Sequence, residues 1–208
     1  MPEVPMFRLI AVYSEAPSIS ELGQQLDDLS GVAGAQISVR RDEQLPGGQT
    51  PDFHSVLEVR CRNLDTLDAV DSKLEALTAP VARLRTREHY LVDHGVSADA
   101  VKGVFLFRRR QDLPLTEFQR YWLVHHGPIA SRTPDCQRYV QCHVLSDSYD
   151  AGSPVYDGVT EIYWPDYDTT LRSMGSDSMT VEQAGDAPNF VAPGSVDLLL
   201  TREQQIGR

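Results

Sequence analysis

The chain passes twice through one order of elements, strand–helix–strand–strand–helix–strand, and this repetition limits its possible folds more than any single motif. In the first pass, alternation of apolar and polar residues predicts strands at 6–13, 35–41, 54–61 and 82–92. Helices are predicted at 18–29, with Ile19, Leu22, Leu26 and Leu29 as its stripe, and at 63–77, with Leu67, Val70, Leu74 and Leu77 buried. Ser18 and Glu21 read as a capping box for the first of these. After a polar connection at 93–100 the order returns. Strands fall at 102–109, 137–145, 156–164 and 196–203, with helices at 116–132 and from 168 to about 174.

The repeat is visible in residues as well as in elements. L-E-V-R-C-R-N-L-D-T-L at 57–67 resembles T-E-I-Y-W-P-D-Y-D-T-T-L at 160–171, and each half closes on a strand containing Thr-Arg-Glu. Glu58 aligns with Glu161 at an offset of 103, whereas Thr86 aligns with Thr201 at 115, so the second half carries a 12-residue insertion. The segment G-S-D-S-M-T-V-E-Q-A-G-D-A-P-N-F is its natural place, and it reads as a mobile flap. A β-α-β-β-α-β unit lays two helices on one face of a four-stranded antiparallel sheet and leaves the other face bare. Two such sheets face to face bury both bare faces. The expected fold is therefore α+β: two ferredoxin-like halves, 1–97 and 98–208, packed sheet to sheet around a barrel-like interior.

Charge narrows the range of partners. The formal net charge of −11 argues against nucleic acid or an anionic membrane surface, and no stretch is apolar for long enough to span a bilayer. The start M-P-E-V-P-M has neither the basic nor the apolar region of a signal peptide. Cys61, Cys136 and Cys142 form no CxxC motif, and a reducing, cytoplasmic setting fits them best. Nine acidic residues against one basic between 147 and 186 read as a solvated face, and Arg108–Arg110 as a solvated strand end.

The stretch from 118 to 143 is the most informative. Phe118, Tyr121, Trp122, His125 and Ile129 recur at helical spacing, Thr116 can cap the start with Gln119 as its reciprocal partner, and Gly127-Pro128 marks a kink or stop. In the strand that follows, Tyr139, Gln141 and His143 share one face, and Val140, Cys142 and Val144 the other. With the apolar face turned to a helix, the polar face would line a cavity.

F-L-F-R-R-R-Q-D-L-P-L-T-E-F-Q-R-Y-W-L-V-H-H-G-P, R-Y-V-Q-C-H and Y-D-G-V-T-E-I-Y-W together resemble the EthD family of dimeric α/β-barrel proteins. The resemblance covers about 101–203; residues 1–97 share its element order alone, as a degenerate second copy. It implies a ferredoxin-like half paired into a barrel with a buried pocket. Its relatives include cofactor-free monooxygenases, lactone isomerases, and polyketide cyclases or dehydratases. The polar positions that match are His126, Tyr139, His143, Asp157 and Glu161. The first half has no histidine at the end of its first helix and no Tyr/His pair on its second strand, so it is expected to supply wall and lid.

Imidazole titrates near neutral pH, which makes His126 and His143 the leading acid/base candidates. Tyr139 can donate to an oxyanion, and Glu161 or Asp157 can orient a histidine or take a proton; for Glu161 the alternative is an ion pair to a strand arginine. Gln141, Phe105, Phe107 and Trp122 are candidate substrate contacts. A metal held by His126, His143 and Glu161 lacks supporting spacing, so neither metal nor organic cofactor is expected. The resulting expectation is a cytoplasmic, possibly homodimeric enzyme. Its substrate would be a hydrophobic, oxygenated or aromatic metabolite, and its chemistry dehydratase, lyase, isomerase or cyclase. A cofactor-free monooxygenase and a non-catalytic ligand-binding or accessory protein are the alternatives.

Overall fold

A computed structural model describes residues 6–75 and 79–207. Eight strands are named in chain order: β1 (Phe7–Tyr13), β2 (Val32–Arg40), β3 (Ser55–Cys61), β4 (Ala82–Asp93), β5 (Val101–Phe107), β6 (Arg138–Val144), β7 (Gly158–Trp164) and β8 (Asp197–Gln205). They close into one antiparallel barrel in the order β1-β3-β2-β8-β5-β7-β6-β4. Each half has the β-α-β-β-α-β order that the sequence predicts. The edge strands of one half pair with those of the other, β2 with β8 and β4 with β6, so neither sheet keeps a free edge.

Helix α1 (Ile19–Asp27) begins where the Ser18 hydroxyl accepts the Glu21 amide at 3.4 Å. Helix α2 (Leu64–Glu75) begins where Asn63 accepts the Thr66 amide at 2.8 Å. Leu77, predicted in that helix, lies outside the described residues. Leu22, Leu26, Leu67 and Val70 of these helices pack on Leu9, Ala11, Leu57 and Val59, on the outer face of the first sheet.

The barrel interior is filled, and its two ends differ. Ile10, Val12, Leu84, Val104, Leu106, Val140, Cys142, Val159 and Leu199 make one end apolar. At the other end each half contributes a cation from its first strand and carboxylates from its third and fourth: Arg8, Glu58 and Glu88 from one, Lys102, Glu161 and Glu203 from the other. Arg8 contacts Glu161 at 2.6 Å, Glu88 at 2.5 Å and Glu58 at 3.2 Å. Lys102 pairs with Glu58 across the two halves and reaches Glu161 at 3.3 Å and Glu203 at 3.4 Å. Thr86 donates to the Arg8 carbonyl at 2.8 Å, as Thr201 does to that of Lys102 at 3.0 Å. The residue-level repeat in the sequence is thus this quasi-symmetric buried cluster.

Two expectations are corrected here. The apolar face of β6 looks into the barrel, not at a helix, and its polar face lies under the helical layer. The acidic run at 147–186 is not uniformly solvated: Glu161 is fully buried and Asp157 nearly so.

Candidate active site between sheet and helices

On the outer face of the second half, the chain after β5 enters helix α3 (Leu115–Tyr121) behind Pro114. Thr116 does not cap it, and Gln119 donates to the Val144 carbonyl at 2.7 Å rather than returning to the helix start. Residues Trp122–His126 then form a wider π-helical segment before α4 (Gly127–Ala130). Pro128 has no N–H and would crowd the carbonyl of Val124 in a regular helix; the wider turn just before it accommodates the ring. The segment also sets which residues point inward. Phe118, Trp122, His126 and Ala130 are buried, four residues apart each time, while His125 is exposed and stacks on Tyr121. In a regular helix three such steps drift by about 120°; the π-turn holds His126 on the Trp122 face. The stripe read from sequence through Tyr121, His125 and Ile129 is corrected accordingly.

Helix α5 (Tyr167–Met174) is capped by Asp166, which accepts the Thr169 amide at 2.8 Å. The insertion follows. It forms a second π-helical segment, Ser178–Gln183, then the short α6 (Ala184–Asp186) and a 3-10 turn, Ala187–Asn189. It returns to the end of β5 through a bridge between Val191 and Arg109. Phe190, 2% exposed, is wedged among the rings of Phe107, Phe118, Tyr121 and His126.

Between the second sheet, the α3–π segment and the insertion lies a cavity of about 680 Å³. Phe105 and Phe107 of β5, Thr160 and Ile162 of β7, Trp122 and His126 form one side; Met174, Met179, Thr180, Gln183, Ala187 and Phe190 lie opposite. Among the described residues no charged side chain lines it, and those that do line it all come from the second half. The pocket is therefore not the barrel interior, and the described residues of the first half supply neither wall nor lid to it. Gly158 allows the close packing beneath: a Cβ there would meet Trp122 Cζ3 at 2.7 Å.

His126 lines this cavity with Nδ1 turned away toward Asp186 Oδ2 at 2.9 Å. Asp186 Oδ1 accepts the Tyr121 hydroxyl at 2.6 Å and the Asn189 amide at 3.0 Å. Burial lowers the His126 pKa below the usual histidine value, and the Asp186 interaction offsets part of that effect. Burial acts to raise Asp186, but hydrogen bonds from Tyr121, His126 and Asn189 outweigh it and hold the carboxyl below its ordinary range.

The other predicted polar residues are not gathered at the cavity. His143 stacks flat on the Trp122 indole, 4.3 Å between centroids and 9° between planes, and is removed from the cavity by that ring. Its Nε2 meets Gln141 Oε1 at 3.0 Å; Gln141 Nε2 donates to the Trp122 carbonyl at 3.0 Å and lies 2.6 Å from the Tyr139 hydroxyl. Burial, then the nearby His89 and Arg87, hold His143 well below the usual histidine range, and burial raises Tyr139. Glu161 is in the barrel interior on Arg8 and Lys102, the ion-pair alternative. Asp157 anchors the strand ends, accepting Arg109 Nε at 3.1 Å and the Tyr149 hydroxyl at 2.5 Å. Phe105, Phe107 and Trp122 do line the cavity. Among the described residues no cluster of three or more His, Cys, Asp or Glu is arranged to hold a metal.

Asp186, Gln183 and Phe190 escaped the sequence reading. The only signal for them was the 12-residue offset between the two halves, which marked the segment but not its contacts.

A barrel closed by two ferredoxin-like sheets, with a cavity under the helices of one of them, defines the dimeric α/β-barrel class. Within that class, residues 110–194 match the family model of the EthD domain. An anthrone oxidase-like protein superposes on 100% of this chain and 95% of its own, at 10% identity and a TM-score of 0.67. A variant of chlorite dismutase from Candidatus Nitrospira defluvii covers 97% of this chain and 92% of its own, at 10% identity and 0.58. For a candidate monooxygenase from Lactobacillus acidophilus NCFM the shares are 97% and 94%, at 10% identity and 0.54. Likeness at such identities speaks for the fold alone. No curated protein matches the chain significantly in sequence.

Proposed function

We propose that the chain is a small-molecule enzyme in which His126 acts as acid/base on a hydrophobic, oxygenated or aromatic metabolite held in the cavity beneath the helical layer. The observation that carries this reading is the placement of His126: one ring nitrogen is committed to a carboxylate, and the ring borders a chamber with apolar walls and no other ionisable group. A neutral imidazole there is a base at physiological pH, because burial disfavours its protonated form. Proton transfer of this kind serves dehydration, isomerisation, cyclisation or lyase chemistry, and would contribute roughly 10²–10⁴-fold in rate. The names of the similar structures favour a second reading, a monooxygenase in which the same proton abstraction prepares an electron-rich substrate for dioxygen.

The test uses proton exchange, which both readings require. Exchange of the acidic C–H protons of 2-tetralone in D₂O, followed by ¹H NMR without added metal or cofactor, is expected to be accelerated by the protein. The acceleration should fall by about 10²-fold or more in His126→Gln, which can still donate to Asp186. Binding of the probe without accelerated exchange would leave the chain as a ligand-binding protein.

A further inference from the structure

We propose that Asp186, carried by the insertion, is a positioning residue that fixes His126 as a hydrogen-bond acceptor toward the cavity, so that the site selects uncharged aromatic ligands bearing an O–H donor. This rests on the reading of the cavity as the ligand site. A carboxylate accepts and cannot donate, so at 2.9 Å from Asp186 Oδ2 the Nδ1 of His126 must carry the proton. The remaining nitrogen, Nε2, then presents a lone pair. The insertion supplies a second acceptor. Gln183 is 8% exposed and lines the cavity; its Nε2 donates to the Thr133 hydroxyl at 2.9 Å and points at Met179 Sδ at 3.0 Å. Its Oε1 has no partner among the described residues.

A phenol or enol satisfies such acceptors. A carboxylate finds no cation among the lining residues, and an aryl ether has no proton to give. Gln183 and the Asp186 that positions His126 both belong to the insertion, which the first half lacks.

The surroundings of Asp186 also make the proposal invertible. Its Oδ1 takes two donors, from Tyr121 and Asn189, so in Asp186→Asn the amide oxygen stays with them and the NH₂ faces His126. The imidazole must then accept at Nδ1 and carry its proton on Nε2, toward the cavity.

Three probes of one ring system distinguish the outcomes by fluorescence titration: 2-naphthol, 2-methoxynaphthalene and 2-naphthoate. The native protein is expected to bind 2-naphthol about tenfold or more tightly than either of the others, and Asp186→Asn to lose or reverse that preference. In native protein, two-bond ¹H–¹⁵N spectra should show His126 protonated at Nδ1, whether or not the variant folds. Equal affinity for naphthol and its methyl ether, or an Nε2-protonated His126 in the native protein, overturns the proposal while leaving the cavity reading intact. Failure of all three probes to bind overturns both.

Discussion

Gln141 makes its amide serve three groups at once: the Trp122 carbonyl, the Tyr139 hydroxyl and the His143 ring. All are buried, and the Trp122 carbonyl is also the one that accepts the Gly127 N–H across the π-turn. This polar chain ties the underside of the helical segment to β6, which is a structural task. Gln141→Leu is therefore expected to destabilise the fold by about 2–4 kcal/mol, since it strands several buried polar groups. Affinity for 2-naphthol should change less than twofold. Urea unfolding and titration of the same sample check both expectations; a large loss of affinity with unchanged stability would return Gln141 to the ligand site. His143 belongs to the same chain, so the proposed acid/base role is assigned to His126 alone.

At the scale of elements, the contact between the π-segment and β7 depends on Gly158. An alanine Cβ would stand 2.7 Å from Cζ3 and 2.9 Å from Cη2 of Trp122, a rigid ring held between Phe107 and His143. Gly158→Ala is expected to cost about 1–3 kcal/mol by overpacking. It should also weaken probe binding, because the rings it displaces, Trp122 and Phe107, line the cavity; thermal melts with and without 2-naphthol separate the two effects. The same elements show what was legible in the sequence. Parity along β6 correctly grouped Tyr139, Gln141 and His143 against Val140, Cys142 and Val144. Parity could not say which group faces a barrel interior when both faces of the sheet are covered, and the interior proved to be the apolar side. The element order and the Glu58/Glu161 and Thr86/Thr201 correspondences were readable because repetition is a property of the sequence itself. The pairing of His126 with Asp186, 60 residues apart, was not, since it depends on how the insertion folds back.

For the whole molecule, the buried cluster sets a pH signature. Burial, and then the adjacent Glu161, push Glu58 up to about 8 against the pull of Lys102 and Arg8. Burial acts to raise Glu161 too, but Arg8 and Lys102 outweigh it and hold it below the ordinary carboxylate range. A raised carboxyl binds a proton in the folded state that the unfolded chain has released. Its stabilising effect is thus complete below about 4.5 and is lost progressively as pH rises to about 8. Burial depresses His126 and His143, so their contribution is present above about 6.5 and lost as pH falls below it. Between about 6.5 and 8 the loss of the Glu58 effect is expected to dominate. The melting temperature of the native protein is expected to fall across that interval, and Glu58→Gln, neutral at every pH, should flatten the curve. Parallel curves for the two proteins would falsify the assignment of this proton to Glu58.

In an assembly of two identical chains, every substitution near the axis arises twice, and the two acids meeting there would have the same neighbours and an equal claim on a proton. Here both copies lie on one polypeptide, so each position can drift alone. Glu58 has Gln36 and Ser38 as donors at 2.9 Å and 3.2 Å, whereas the positions matching these across from Glu161 are Val140 and Cys142. Covalent linkage thus breaks the symmetry of the pair: the two acids have different neighbours and no longer an equal claim on a proton. The same freedom allows one half to acquire an insertion and a chamber while its twin supplies strands, helices and its share of the buried cluster.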